Sequence, residues 1–207
     1  SPTPPIEISG GAASATGRLT APVVLLDDSF LARLGEACAD VRLDAGERAE
    51  ASRDWWPLAM VWATEGKVGQ VAGAIARPSS TEEVAAVMRL CNRARIPVTP
   101  AAGRSSVVGG TVPVHGGVLL DLTGLVGIES VDDTSGIVEV QAGTFGDLFE
   151  EELQERYGLT VGHWPQSMAL STVGGWLACK GAGQLSNRYG KIEDIVVGLE
   201  VVLADGT

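Results

Sequence analysis

Apolar residues recur at helical spacing in three stretches of the chain, and each stretch predicts a helix. The first follows capping chemistry at 27–29, and the second follows Ser80 and Glu83, which have the spacing of a capping box. The third is predicted over 145–157, with Thr144 as its cap. The apolar faces consist of Phe30, Leu31, Leu34 and Cys38 in the first, Val84, Val87, Met88 and Cys91 in the second, and Leu148, Phe149 and Leu153 in the third.

Shorter apolar runs between these helices predict strands. The predicted strands are 71–76, 98–99, 117–122, 136–142 and 195–203. The last run is followed by the turn signal Asp205–Gly206, and a strand followed by a turn needs a partner strand. Because helices and strands alternate in a mixed order, we expect an α+β fold.

The chain divides into three predicted parts. Residues 1–22 are small, polar and rich in Pro and Gly, which predicts a flexible N-terminal arm. Residues 23–70 form a helical lead-in, within which the polar stretch 42–53 is helical or irregular. Residues 71–207 form the main domain, and we expect this domain to be the front part of a longer protein that continues past it.

The composition is that of a globular protein with a strong negative charge. Of 207 residues, 45% are hydrophobic and 20% are charged, a balance that excludes wholesale disorder. The net charge of −11 disfavours nucleic acid and acidic lipid as partners. No run reaches the roughly 18 apolar residues of a membrane span. Cys38, Cys91 and Cys179 are odd in number and lack metal-ligand spacing, so we expect a cytoplasmic, reducing compartment and no metal site.

Two segments dense in small residues suit the binding of an anion. The first, 100–110, carries Arg104, Ser105 and Ser106, and its small residues let backbone N–H groups converge on a phosphate. The second, 171–183, repeats this pattern. Neither segment has the spacing of a P-loop or of a GxGxxG fingerprint. Together they can clamp an elongated ligand that carries both phosphate and rings, or they can pack two subdomains together without any ligand.

Four motifs occur in the order seen in FAD-linked oxidases: 100–106, 162–167, 171–176 and 189–194. The chain resembles this family, whose FAD-binding domain is of the vanillyl-alcohol-oxidase or PCMH type. The resemblance covers roughly residues 70–207 and implies two α+β subdomains followed by a separate C-terminal substrate domain, which is absent here. Within the family, the last two motifs are most similar to alkyldihydroxyacetonephosphate synthases, because D-lactate and glycolate dehydrogenases usually have Asn in place of Trp176.

The resemblance also implies a cofactor, FAD, and residues that hold it. Non-covalent FAD is expected, because residues 100–110 contain no histidine to carry a covalent flavin. The implied binding residues are Pro100, Ala101, Ala102, Gly103, Arg104, Ser105 and Ser106 for the pyrophosphate, and Gln166, Ser167, Met168, Ser171, Thr172, Gly174, Gly175, Cys179, Lys180, Gly181 and Ala182 for the isoalloxazine, ribityl and adenine path. Arg104 stands where relatives generally have Gly, so it must avoid or tolerate a positive φ, and it can contact phosphate by charge.

The implied function is that of a flavoenzyme acting on a small-molecule substrate. In the synthases, FAD forms an adduct with an acyl-dihydroxyacetone phosphate, and the acyl group is exchanged for a fatty alcohol. The alternatives are an FAD-dependent dehydrogenase or oxidase of a 2-hydroxy acid, and a module that holds flavin without turnover. The family's catalytic Tyr and His lie beyond residue 207, so no catalytic residue is assigned here and we expect this chain alone to be inactive. The sequence does not decide whether the protein forms a homo-oligomer.

Five features of the second half have a structural interpretation beside a functional one. We interpret His163 as a packed core histidine, with contact to the flavin ring as the alternative. Cys179 is expected to be a small buried hydrophobe, and Trp176 a packing anchor between subdomains. Lys180 either offsets cofactor charge or faces solvent. The acidic run 150–152 is expected to be a solvated helix face.

Overall fold

The described residues near the amino terminus, Ile8 and 16–17 among them, pack against the rest of the chain. The computed structural model describes residue 4 and residues 6–207, so the predicted arm lies partly outside the described residues. Within them, Ile8 is buried in a small cluster with Ala49, Ala63 and Val68. Strand β1 (Thr16–Gly17) pairs in parallel with β3 (Lys67–Val68). The predicted boundaries at residues 22 and 70 stay predictions.

The structure describes eight α-helices, of which the first, fourth and fifth lie where the sequence predicts helices. They are α1 (Asp28–Ala37), α2 (Ala45–Ala51), α3 (Pro57–Thr64), α4 (Thr81–Ala94), α5 (Gly146–Tyr157), α6 (Val173–Ala178), α7 (Ser186–Tyr189) and α8 (Ile192–Ile195). Two predicted caps are confirmed: Asp27 Oδ1 accepts from the Phe30 N–H at 2.7 Å, and Ser80 Oγ accepts from the Glu83 N–H at 3.3 Å. Among these described helices, none is long and apolar enough to cross a membrane.

A four-stranded sheet forms the first half of the structure. Its strands lie in the order β2 (Val41–Arg42), β4 (Ala74–Ala76), β6 (Val118–Asp121) and β5 (Val98–Ala101), and only β2 runs antiparallel to its neighbour. Helices α1 and α4 pack on one face of this sheet and bury Phe30, Leu34 and Val87. Because β4, β6 and β5 are parallel, their carboxyl ends share one edge, and the first small-residue loop leaves from that edge.

The second half packs around its own core. A hairpin of β7 (Ile128–Asp132) and β8 (Ile137–Val140) precedes α5. The core joins α5, α6 and α8 through buried Phe149, Leu153, Met168, Trp176 and Ile192. The structure therefore contains two α+β units, each with its own hydrophobic core.

Two local predictions are wrong. Thr144 does not cap α5, since its hydroxyl accepts from the Gly127 N–H at 2.9 Å and donates to the Gln141 carbonyl at 2.7 Å. The run 195–203 forms no strand among the described residues: Ile195 ends α8, and the residues after it join no sheet. The apolar pattern also did not predict the strand β7.

Candidate functional site

The first small-residue loop starts at the carboxyl end of β5. Ser106 Oγ organises it by accepting from the Val108 and Gly110 N–H groups at 3.3 and 3.4 Å. Arg104 adopts a left-handed backbone conformation with φ of 55°, so this position tolerates the positive φ that favours glycine. Its guanidinium donates to the Glu50 carbonyl on α2, and burial lowers the pKa of Arg104. The arginine therefore ties the loop to α2.

The two small-residue segments meet at Gly103. A Cβ on Gly103 would overlap the Leu170 carbonyl oxygen and would lie 3.0 Å from Ser171 Cα. Residues 167–171 turn tightly at this point, because the Leu170 and Ser171 N–H groups both donate to the Ser167 carbonyl, at 2.7 and 2.8 Å. The backbone of the loop after β5 thus lies directly on the backbone that precedes α6. Sequence reasoning placed both segments in one site, and the structure brings them together.

The hydroxyls of Ser171 and Thr172 are used within the protein. Ser171 Oγ donates to the Ser167 carbonyl at 2.8 Å and accepts from the Trp176 indole N–H at 2.7 Å. Thr172 Oγ1 caps α6 by accepting from the Gly175 N–H at 3.4 Å. Trp176 is buried against the start of α5, where a Cβ on Gly146 would overlap its ring. Trp176 is therefore a packing anchor, but it lies inside the second core and not between subdomains as the sequence predicted. Its indole N–H also fixes the turn that precedes α6.

His163 is buried with both ring nitrogens lacking a hydrogen-bond partner among the described residues. The side chain is 1% exposed, and its ring meets the Trp176 ring edge-on with centroids 4.8 Å apart. Nε2 lies 3.3 Å from the place that a Cβ on Gly181 would take. Burial lowers the pKa of His163, so the neutral imidazole is favoured. Orphaned buried polar atoms are uncommon in native proteins, which makes this ring a candidate contact for a bound group.

The segment after α6 is open to solvent, and one prediction here is wrong. Cys179 is exposed, because its side chain lies at the surface end of α6, where Sγ donates to the Gly175 carbonyl at 2.9 Å. Lys180 is exposed in a left-handed conformation with φ of 51°. Gly181 faces His163, and Gly183 packs on Trp164, where a Cβ would lie 2.6 Å from the backbone nitrogen. Residues 179–183 therefore lie beside His163 and form an exposed rim.

The predicted site residues differ in how exposed they are, and so in how accessible they are to a ligand. Five are buried: Ala101, Gly103, Met168, Ser171 and Thr172. Six are exposed: Pro100, Gln166, Gly175, Cys179, Lys180 and Ala182. The other seven are half-buried: Ala102, Arg104, Ser105, Ser106, Ser167, Gly174 and Gly181. The buried members position backbone, and the exposed and half-buried members remain accessible. None of the described residues forms a cluster of three or more groups that could hold a metal ion.

A second polar feature opens at the same sheet edge and was not anticipated from the sequence. It is a cavity of about 380 Å³ at the carboxyl ends of β4 and β6. Its charged lining consists of Arg42, Arg77, Arg104, Glu47, Glu50 and Asp121. These charges balance in number, and the Arg42 guanidinium is held by Asp40 at 2.8 and 2.9 Å. The cavity therefore has no excess positive charge.

A comparison with protein-family models decides what kind of domain this is. Residues 72–207, about two thirds of the chain, match a family described as the FAD binding domain. The chain belongs to this family. The resemblance to FAD-linked oxidases and the α+β, PCMH-type fold are confirmed by this match and by the structural neighbours.

Curated relatives of this FAD binding domain include oxidoreductases and a synthase. The uncharacterized FAD-linked oxidoreductase YgcU of Escherichia coli is 39% identical over 66% of this chain and 28% of its own length. An alkyldihydroxyacetonephosphate synthase of Trypanosoma brucei brucei is 30% identical over 91% of this chain and 32% of its own length. A D-lactate dehydrogenase of Anaerostipes hadrus is 40% identical over 62% of this chain and 26% of its own length. The chain spans about a third or less of each relative.

Solved structures agree with this assignment. A structure of alkyldihydroxyacetonephosphate synthase superposes with a TM-score of 0.78 at 26% identity, covering 86% of this chain and 33% of the other. A p-cresol methylhydroxylase shares the fold, with a TM-score of 0.73 at 21% identity over 90% of this chain and 36% of the other. The FAD binding domain described here is thus similar to the synthases, and D-lactate and glycolate oxidase-type relatives also match.

FAD fits the residues that the structure brings together. The Gly103 contact brings a loop of small residues against the backbone at 170–171, and small residues allow a pyrophosphate to approach backbone closely. The orphaned Nε2 of His163 lies beside Gly181, within the segment predicted to line the flavin path. The described residues therefore contain a loop of small residues and a buried polar ring in the segments expected to hold FAD.

Proposed function

We propose that this domain binds FAD between the loop 100–106 and the segments 166–175 and 179–182. The observation that carries the proposal is the contact of Gly103 with Leu170 and Ser171, which places both small-residue segments at one site. On a protein of net charge −11, a phosphate site has to be built from local donors, and this loop offers backbone N–H groups beside the Ser105 and Ser106 hydroxyls. The loop thus holds the pyrophosphate.

The second segment contributes shape, while its hydroxyls serve the protein. Because Ser171 and Thr172 are engaged with Trp176 and Gly175, these side chains hold the backbone of 166–172 in place and leave the ligand contacts to backbone groups. The imidazole of His163 supplies a neutral ring whose nitrogens can accept or donate one hydrogen bond each. When bound, FAD supplies the redox chemistry, and the protein supplies its position and its electrostatic surroundings.

We infer that the FAD is held non-covalently. Residues 100–110 contain neither His nor Cys, the residue types to which flavins are attached. A glucooligosaccharide oxidase that shares this fold, at 24% identity, is described as carrying a 6-S-cysteinyl, 8α-N1-histidyl FAD, so attachment has to be tested here. Cys179 and His115 are the exposed candidates in this chain.

For the whole protein, we propose a flavin oxidoreductase close to alkyldihydroxyacetonephosphate synthase. The supporting observation is the extent of the match, since the Trypanosoma synthase aligns with 91% of the chain and so includes residues that precede the domain at 72–207. The second candidate is an FAD-dependent dehydrogenase of a 2-hydroxy acid, favoured by the higher identity of 40% to the D-lactate dehydrogenase. We expect a small-molecule substrate in either case, in a reducing compartment compatible with three free cysteines.

The experiment is a visible absorbance spectrum of the purified chain and of the complete gene product, after FAD addition and gel filtration. Retained flavin bands that acid precipitation releases into the supernatant support a non-covalent site. Flavin that stays with the precipitate contradicts the non-covalent proposal, and a colourless complete protein contradicts the flavoenzyme. Turnover of an acyl-dihydroxyacetone phosphate with a fatty alcohol, or of a D-2-hydroxy acid, then separates the two candidate activities. We expect this chain alone to give neither.

A further inference from the structure

Glu150 is a buried carboxylate in a run that the sequence predicted to be solvated. It is 3% exposed on the inner side of α5, whereas its neighbour Glu151 is exposed. Its Oε1 accepts from the Gln154 amide at 2.7 Å and from the Thr160 hydroxyl at 2.6 Å, and its Oε2 accepts from the Val161 N–H at 3.0 Å. A buried carboxylate is costly unless its oxygens are hydrogen-bonded, so these three donors hold the group in one place.

Two of these donors belong to the turn that carries His163. Thr160 Oγ1, besides donating to Glu150, accepts from the Gly162 N–H at 3.2 Å. Gly162 has φ of 72°, and a Cβ there would lie 2.8 Å from Tyr189 Cγ, so this residue has little freedom to shift. The next residue is His163, whose ring is pressed between Trp176 and Gly181. An unbroken chain of contacts thus leads from the Glu150 carboxylate to the imidazole.

We propose that Glu150 is a positioning residue for the FAD site, holding the turn 160–163 so that the His163 imidazole faces the segment 179–182. The proposal rests on the proposed function, because only a bound FAD gives the orientation of this ring a purpose. A carboxylate suits the role because it accepts from three donors at once, and a side chain without an acceptor leaves the Val161 N–H and the Thr160 hydroxyl unpaired.

The histidines allow a test in the chain itself, before any cofactor is added. The protein has two histidines, and His115 is exposed, so two ring resonances suffice to follow the buried and the exposed site by NMR. The ring of His163 lies edge-on to Trp176, so its resonance is displaced by the aromatic ring and reports its position. FAD added to the wild-type protein is expected to shift the His163 resonance and to leave the His115 resonance in place.

Four variants separate positioning from general destabilisation. Glu150→Ala removes both acceptor oxygens and so leaves all three donors without this partner. Thr160→Val removes only the hydroxyl link, and it serves as the test if Glu150→Ala does not fold. Glu150→Gln is the conservative rescue, because its amide oxygen can accept from the Val161 N–H while its NH2 group donates to the Thr160 hydroxyl and to the Gln154 amide oxygen, once the Gln154 amide has turned over. Glu151→Ala is the matched control, an exposed acidic residue on the same helix.

We expect Glu150→Ala and Thr160→Val to move the His163 resonance toward its free-solution position and to weaken FAD binding by about tenfold, the worth of one or two lost hydrogen bonds. Glu150→Gln and Glu151→Ala are expected to leave both readouts within twofold. A folded Glu150→Ala or Thr160→Val protein with an unmoved His163 resonance overturns the positioning role. If adding FAD changes neither the histidine resonances nor the visible absorbance spectrum of the wild-type protein, the proposed function is overturned instead, whatever the variants do to His163.

Discussion

Gly103 offers the most direct test of the site, because it is the point where the two small-residue segments touch. Its φ lies outside the left-handed region, so alanine fits the backbone there and only space is lacking. The Cβ of Gly103→Ala would overlap the Leu170 carbonyl oxygen and would lie 3.0 Å from Ser171 Cα, where about 3.5–4.0 Å is comfortable. The overlap with the carbonyl oxygen is the deeper of the two, so the two backbones must separate by about 1 Å or more.

This separation should cost both stability and cofactor affinity. Overpacking of a tight contact costs about 1–3 kcal/mol, and a cradle opened by this distance no longer matches a rigid pyrophosphate. We expect Gly103→Ala to lower the free energy of unfolding by about 1–3 kcal/mol in urea titrations. We also expect it to raise the Kd for FAD at least tenfold, measured by quenching of flavin fluorescence in the complete protein.

The matched control is Gly110→Ala in the same loop. A Cβ on Gly110 would lie 3.2 Å from Ser106 Oγ, which has to shift by only a few tenths of an ångström, so we expect clearly smaller losses of stability and affinity than in Gly103→Ala. If Gly103→Ala binds FAD like the wild type, the contact between the segments does not shape the cofactor site and the reasoning is refuted. If both variants weaken binding equally, the loop is sensitive to any added methyl group, and the Gly103 contact has no special role.

Three other substitutions probe parts of the structure away from Gly103. Arg95 ends α4 with φ of 57°, so Arg95→Gly should raise the free energy of unfolding by about 0.5–1 kcal/mol; a decrease would refute this cap. Trp176→Phe removes the donor to Ser171 and should lower the same free energy by about 1–2 kcal/mol, whereas an unchanged value would show that the bond adds nothing. Burial lowers the pKa of His163, so as the pH falls the imidazole takes up its second proton more readily in the unfolded chain than in the folded one. The free energy of unfolding should therefore fall as the pH drops below about 6.5. This fall should be smaller in His163→Phe, measured by denaturation at several pH values, and an identical fall would exclude His163 as its cause.

Local signals predicted the elements whose stabilising contacts lie close in sequence. The caps at Asp27 and Ser80 each act on an N–H group three residues away, so the sequence pattern contains the whole interaction. The resemblance that predicted the family rested on four motifs in order, at 100–106, 162–167, 171–176 and 189–194, and the family match confirms it. Predictions of this kind need no knowledge of what lies across the fold.

The predictions that were wrong or missing depend on partners distant in sequence or on the opposite side of an element. Glu150 lies in a run of three acidic residues, 150–152. It differs from the exposed Glu151 because Thr160 and Val161 fold back onto α5 and donate to its carboxylate. Cys179 has a small, weakly polar side chain that suits a core, yet it directly follows the six-residue helix α6 and is exposed at its end. A hydrophobicity pattern assigns faces only when an element is long enough to show its period, and α6 is too short.

The run 195–203 shows what an apolar pattern leaves undecided. Its side chains favour a strand, but a strand also needs a neighbour to bond its N–H and C=O groups, and the described residues provide none. The segment is tethered to α4 instead: the Asn92 amide donates to the Ala204 carbonyl at 3.0 Å, and the Arg89 guanidinium donates to the Gly206 carbonyl at 2.6 Å. Its alternate apolar residues Val197, Leu199, Val201 and Leu203 are 57–79% exposed. The pattern therefore predicts which side chains are apolar enough to be buried. The backbone hydrogen bonds of a strand depend on a partner strand, which no local signal can specify.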